Sequence, residues 1–211
     1  EHFKPESKAA MDELVANLRL ALAQNLSKID WMGDATKAEA LGSKIWDSAN
    51  AARATDATVL IDEIPGCKLD VHAIAAAVAL GARLKSYSFD KYMTKRPEDK
   101  KPTLKQLTIG VKGAGAARRA FARHEALAEA VDFTRNLVSE PGNVIYPATL
   151  AAACKTLTEF GVKVEVLGVK EMAKLNMGAL LGVGQGSANE PYLVVMQWTG
   201  AAASKKPCAF V

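Results

Sequence analysis

The pair His124-Glu125 begins the pattern His-Glu-x-x-His, in which two imidazoles one helical turn apart hold a zinc ion and the glutamate serves as base. Position 128 is Ala, so the second ligand is missing and the pattern fails. His2 and His72 stand alone, with no neighbours at a spacing that would assemble a metal site, and read as structural or exposed residues. No Ser sits in Gly-x-Ser-x-Gly, and none of the cysteines has a nucleophile context. A two-metal hydrolase needs several carboxylates converging on ions ~3.5–4 Å apart. Between Gly186 and Val211 the only acid is Glu190. The chain is therefore not expected to bind such a pair of ions alone.

Two glycine clusters invite a phosphate-cradling reading. Gly182-Val183-Gly184-Gln185-Gly186-Ser187 has Ser where a dinucleotide fingerprint needs its last glycine, and the expected order around it is helix, loop, strand. Glycines that let the backbone turn tightly before Tyr192 explain it better. Gly110-Val111-Lys112-Gly113-Ala114-Gly115 follows an expected strand and precedes an expected helix, but its spacing is wrong and Lys112 is out of P-loop register.

The elements that would have to position any site are those of an α/β chain. With 211 residues, one to two domains and a sizeable core are expected, and 49% of the residues are hydrophobic. No apolar run approaches the roughly 18 residues of a membrane span, and the start, Glu1 to Glu6, lacks a basic region followed by an apolar one. The three cysteines, Cys67, Cys154 and Cys208, are widely spaced and contain no Cys-x-x-Cys; buried thiols in a reducing cytoplasm are the expectation. The net charge of +4 is mild. Its distribution is uneven: from Arg83 to Lys105 there are eight basic residues (Arg83, Lys85, Lys91, Lys95, Arg96, Lys100, Lys101, Lys105) against Asp90, Glu98 and Asp99. Tyr87, Phe89 and Tyr92 lie in the same stretch, a composition that suits a nucleic-acid surface, although a solvated loop with lysine stems over aromatic rings is the preferred reading.

Met11, Leu14, Val15, Leu18 and Leu22 mark an amphipathic helix over Ser7 to Leu26. A helix follows from Ala35 to Ala54, then a short buried strand, Thr58 to Ile61, and a break at Pro65-Gly66. Leu69 to Leu84 reads as an Ala-rich helix capped by Asp70, with Gly81 a weak point near its end. Lys95 to Lys105 is a charged loop broken by Pro97 and Pro102, and Thr103 to Val111 alternates like a strand. A long helix from Ala116 to Ser139 ends at Pro141-Gly142 and connects the halves. Beyond it come a helix over Ala148 to Phe160 with Gly161 at the left-handed position, a strand over Val162 to Leu167, and a short helix from Lys170 to Asn176. Two further strands are expected over Tyr192 to Trp198 and Cys208 to Val211, with apolar surface from Tyr192 onward left uncovered. Helices alternating with short strands make this an α/β chain.

Several ordered segments resemble the leucyl (cytosol) aminopeptidase family. Tyr87-Ser88-Phe89-Asp90-Lys91-Tyr92-Met93-Thr94-Lys95 is similar to its Tyr-x-Phe-(Asp/Thr)-x-Tyr-x-x-Lys stretch. Thr134-Arg135-Asn136-Leu137-Val138, Pro141-Gly142-Asn143, Lys163 to Leu167 and Met177 to Ser187 follow in family order. Ser139 departs from the usual Asn before the Pro motif, and residues 1 to 30 match poorly.

The resemblance implies a macro-domain-like N-terminal α/β domain over residues 1–115, a connecting helix over 116–141, and the start of a mixed-sheet α/β catalytic domain over 142–211. It implies a cytoplasmic homohexamer that removes N-terminal residues such as Leu from peptides with two divalent cations, zinc or manganese. The family's Gly-Lys-Gly segment, its Thr-Phe-Asp-(Ser/Thr)-Gly-Gly stretch and its Asn-Thr-Asp-Ala-Glu-Gly-Arg motif hold the ligand and catalytic groups, and all would fall beyond Val211. The 211 residues alone are thus expected to be inactive and to bind no cation. The alternative expectation is a non-catalytic assembly or DNA-binding module, since some family members also bind DNA.

Overall fold

A computed structural model describes residues 33–63, 68–95, 97, 101–202 and 205–210. The helix expected over Ser7 to Leu26 lies outside the described residues, as do His2, Cys67, Arg96 and Lys100. The chain divides into two compact units, Glu1–Asp132 and Phe133–Val211.

In the first unit, α1 (Asp34–Ala51) leads to β1 (Asp56–Ile61), α2 (Val71–Ser86), β2 (Gln106–Val111) and α3 (Ala114–Ser139), which runs past the division. β1 and β2 pair in parallel, in register from Asp56 opposite Gln106 to Ile61 opposite Val111. Parallel neighbours need a crossover, and α2 supplies it. Along β1 the exposure alternates, so Val59 and Ile61 turn to the core while Leu60 faces out. That is the period-two pattern of a strand covered on one side.

The Asp70 carboxylate starts α2 by accepting from the backbone N–H groups of His72 and Ala73, both at 2.9 Å. These are donors that a first helical turn leaves unpaired, which is why an aspartate ends the loop there. Arg83 and Lys85 lie in the last turn, where the helix dipole favours cations. The core gathers on α2, with Ile74, Ala75, Ala77 and Val78 packed with Ala38 of α1 and Ile61 of β1.

Gly81 is not a weak point of this helix. A Cβ there would run into the Glu39 carbonyl oxygen of α1, and one at Gly42 would run into that of Val78. The two glycines let α1 and α2 cross with backbones in contact, and the Ser43 hydroxyl donates to the Gly81 carbonyl at 3.2 Å. Asn50 closes the other end: its amide oxygen accepts from Thr103 at 2.7 Å and Leu104 at 3.1 Å, and its amide nitrogen donates to the Trp46 carbonyl at 2.9 Å.

In the second unit, α4 (Pro147–Thr156) passes into a 3-10 turn (Leu157–Phe160), so the single helix expected over Ala148 to Phe160 tightens over its last residues. Gly161 follows at φ +82°, the left-handed conformation glycine adopts without penalty. Thr149 starts α4: its hydroxyl receives the Tyr146 N–H at 2.9 Å and donates back to the carbonyls of Val144 and Tyr146. Then come β3 (Lys163–Leu167), α5 (Val169–Lys174), α6 (Gly178–Gly184) and β4 (Leu193–Gln197). β3 and β4 are antiparallel, Lys163 opposite Gln197 and Leu167 opposite Leu193. Met172 and Ala151 are the buried side chains among the described residues of this unit.

Two expectations fail here. Cys208 to Phe210 form no strand, because no described strand pairs with them and Pro207 withholds an N–H donor. The glycines of 182–186 do not form one tight turn: Gly182 and Gly184 belong to α6, and the turn begins after them, where the Ser187 N–H donates to the Gly184 carbonyl at 3.1 Å. The expected order of helix, loop and strand holds. Val195, Met196, Trp198 and Phe210 are exposed, as the sequence suggested for the apolar residues after Tyr192.

Candidate functional site

His124 and Glu125 lie near the middle of α3, with His124 half-buried and Glu125 exposed. Ala128, where the second zinc ligand would stand, is 1% exposed and packed as core. His72 is structural. Its Nε2 lies 3.0 Å from the Lys112 carbonyl oxygen, the arrangement of an imidazole N–H donating to backbone, and its Nδ1 lies 3.5 Å from Asp70. The Asp70 carboxyl is held below the usual carboxylate value, first by the Ala73 N–H, against opposing desolvation, with the His72 N–H and the His72 charge adding.

The same imidazole explains one of the glycines of 110–115. Gly113 has φ +78°, and a Cβ there would stand 2.8 Å from His72 Nε2. The loop is shaped to meet a side chain of its own chain, and His72 joins the end of β2 to the start of α2. Cys154 is half-buried and Cys208 is exposed, so the expectation of buried thiols fails at Cys208, which lies in an exposed segment. Among the described residues, no three His, Cys, Asp or Glu side chains come together as a metal donor set. No described helix is long and apolar enough to cross a membrane.

In the basic, aromatic stretch, Phe89 and Tyr92 meet at 5.9 Å between ring centroids with planes tilted by 58°. Lys91 Nζ stands 5.4 Å from the centre of the Tyr92 ring. Tyr92 and Met93 are exposed, and the Met93 N–H closes a turn on the Asp90 carbonyl at 2.9 Å. This is the lysine-over-ring arrangement expected of a solvated loop. Sequence reasoning missed a groove of about 410 Å³ within the first unit, walled by α2, β2 and the first turns of α3 and edged by Trp46 of α1. The signal for it was an alanine stripe in α2 that reads equally well as tight helix packing.

Residues 132–211 match the catalytic domain of the cytosol aminopeptidase family, and residues 32–96 match that family's N-terminal domain, in the same order and on one chain. This chain belongs to the cytosol aminopeptidase family. The catalytic-domain match takes in Thr134 to Val138, Pro141-Gly142-Asn143 and the glycine-bearing α6, while the N-terminal match takes in β1, α2 and Tyr87 to Lys95. Residues 1–42 also match the description of peptidase family M13, mostly over residues that are not described.

A probable cytosol aminopeptidase of Rhizobium etli is 40% identical over 220 residues, covering 99% of this chain and 42% of the relative. One from Caulobacter vibrioides is 51% identical over 138 residues, 65% of this chain and 28% of the relative. The chain thus spans less than half the length of the curated relatives it matches. A mutant of tomato leucine aminopeptidase superposes with a TM-score of 0.63 at 26% identity, over 78% of this chain and 33% of that one. The bottromycin maturation enzyme BotP in complex with Mn gives 0.60 at 26%, over 77% and 33%. The cytosol aminopeptidase chain thus has the mixed α/β fold of these enzymes.

Proposed function

We propose that this chain is part of a leucyl aminopeptidase, a dinuclear-metal exopeptidase that releases N-terminal residues such as Leu from peptides. The observation that carries the reading is the collinear match of both family domains on one chain. Under it, residues 1–115 form the N-terminal α/β domain, 116–141 the connecting helix and 142–211 the start of the catalytic domain. The assembled enzyme is a cytoplasmic homohexamer that uses two divalent cations, zinc or manganese. The manganese bound to BotP favours that cation class.

The described side chains do not fit such a pair of cations, since no three potential ligands gather among them. Under this proposal they carry no catalytic step. In this reading the 211 residues contribute scaffold: α3 runs on into the catalytic segment, and β3, β4 and α6 form its first layer.

The test is hydrolysis of leucine p-nitroanilide by the longer protein that contains these residues and by the 211 residues alone, each with added Mn²⁺ or Zn²⁺ and after chelation. Metal-dependent release by the longer protein, and none by the 211 residues, is expected. No release by the longer protein with either metal would overturn the peptidase reading. Metal-dependent release by the 211 residues would overturn the assignment of no site residues to them.

A further inference from the structure

The groove of the first unit carries an inference that does not depend on the peptidase reading. Its volume of about 410 Å³ falls in the range of small-molecule sites, ~300–1,000 Å³. It exists because α2 turns Ala75, Ala79 and Ala82 toward it, residues spaced by four and three that share one helix face. Apolar side chains of β2 form the rest of the floor, and the rings of Trp46 and Phe121 lie in its walls.

The polar side chains in the lining decide what it can hold. They are Trp46, Arg83, Ser86 and Arg118, and no Asp or Glu is among them. Arg83 already has an anion, holding Asp132 at 2.9 Å. The Ser86 hydroxyl donates to the Arg83 carbonyl at 2.7 Å. Arg118 has no ion-pair partner among the described residues, although it borders an apolar surface where a guanidinium gains most from a carboxylate.

We infer that this groove binds a small ligand with a flat apolar or aromatic body and one carboxylate, the body lying over the alanines between Trp46 and Phe121 and the carboxylate on Arg118. Aromatic bodies suit it because offset and edge contacts with the two rings add to area burial. Amines are disfavoured by the Arg118 cation and by the lack of an Asp or Glu in the lining.

The experiment titrates the unmodified protein with 4-phenylbutyrate and, separately, with its neutral amide, followed by ligand-observed NMR. Saturable binding of the acid is expected, with the amide weaker by about tenfold, the factor that loss of one charge-assisted hydrogen-bond pair gives. Arg118→Gln, an exposed position that the fold does not need, should bring the acid down to the level of the amide and leave the amide unchanged. Ala79→Leu should fill the groove and abolish both. Acid and amide binding alike, or no saturable binding of the acid to the unmodified protein, would overturn the inference, and either result is read without any variant.

Discussion

The guanidinium of Arg83 in α2 grips the carboxylate of Asp132 in α3 at 2.9 Å, and it does so through one oxygen only. The other, Asp132 Oδ1, is buried without a hydrogen-bond partner. The Asp132 side chain is 15% exposed and that of Arg83 is 47% exposed, so one charge is mostly withdrawn from water and the other is not. Replacing Arg83 by Met leaves a largely buried carboxylate with no cation. The expected loss, discounted for the exposure of Arg83, is about 1 kcal/mol. Thermal unfolding checks it, and adding Asp132→Leu to Arg83→Met should recover most of the loss, because the orphan charge leaves with its partner.

Gly81→Ala tests the crossing of α1 and α2. Helix propensity alone favours Ala by up to ~1 kcal/mol. The new Cβ would meet the Glu39 carbonyl, a backbone group that moves only with its helix. The clash should win, with a net loss of about 1–2 kcal/mol. Gly42→Ala should behave alike because it meets Val78 in the same crossing. A rise in melting temperature for either variant would show that the two helices do not pack this closely.

Asn50→Leu removes an acceptor that serves two backbone N–H groups, those of Thr103 and Leu104, and Leu104 is buried. Two donors lose their partner at once, and about 2 kcal/mol of stability should go. Asn50→Asp keeps the acceptor and loses only the donor to the Trp46 carbonyl, so it should be milder. Chemical denaturation of both variants, read as a midpoint shift at constant slope, orders them.

Asp70 ties stability to acid pH. Its carboxyl titrates lower in the fold than in the unfolded chain, because the N–H groups of Ala73 and His72 hold the ionised form. A group depressed in this way contributes fully above the ordinary aspartate value, and the contribution is lost as pH falls through the folded value. Asp70→Ala should therefore melt below the parent at neutral pH, and the gap should close on acidification through the carboxylate range. A gap that stays constant with pH would mean that the cap does not act through its charge.

Much of the first unit was legible in the residues. The strand read over Thr58 to Ile61, the Asp70 cap and the strand read over Thr103 to Val111 are local features, and they appear as Asp56–Ile61, the start of α2 and Gln106–Val111. The left-handed Gly161 was legible for the same reason, since a helix end needs a residue that tolerates positive φ. The first strand, however, is covered on one side only, with Leu60 exposed, and is not the buried strand that its apolar run suggested. Where the reading failed, the deciding interaction was distant in sequence. Gly81 looks like a helix weakness until Glu39 lies against it, and Gly113 looks like part of a phosphate loop until His72 fills the space beside it.

The sequence by itself determined the family, through ordered motifs from Tyr87 to Ser187, and the α/β alternation, through hydrophobic period. Only the tertiary structure decided what those residues do here. It placed Ala128 in the core, carried Gly182 and Gly184 within a helix, and brought α2, β2 and α3 to the two sides of a groove that no contiguous stretch encodes. The physical reason is that periodicity and caps are set by neighbours in the chain, while close approach, burial and cavities depend on which residues of other elements arrive.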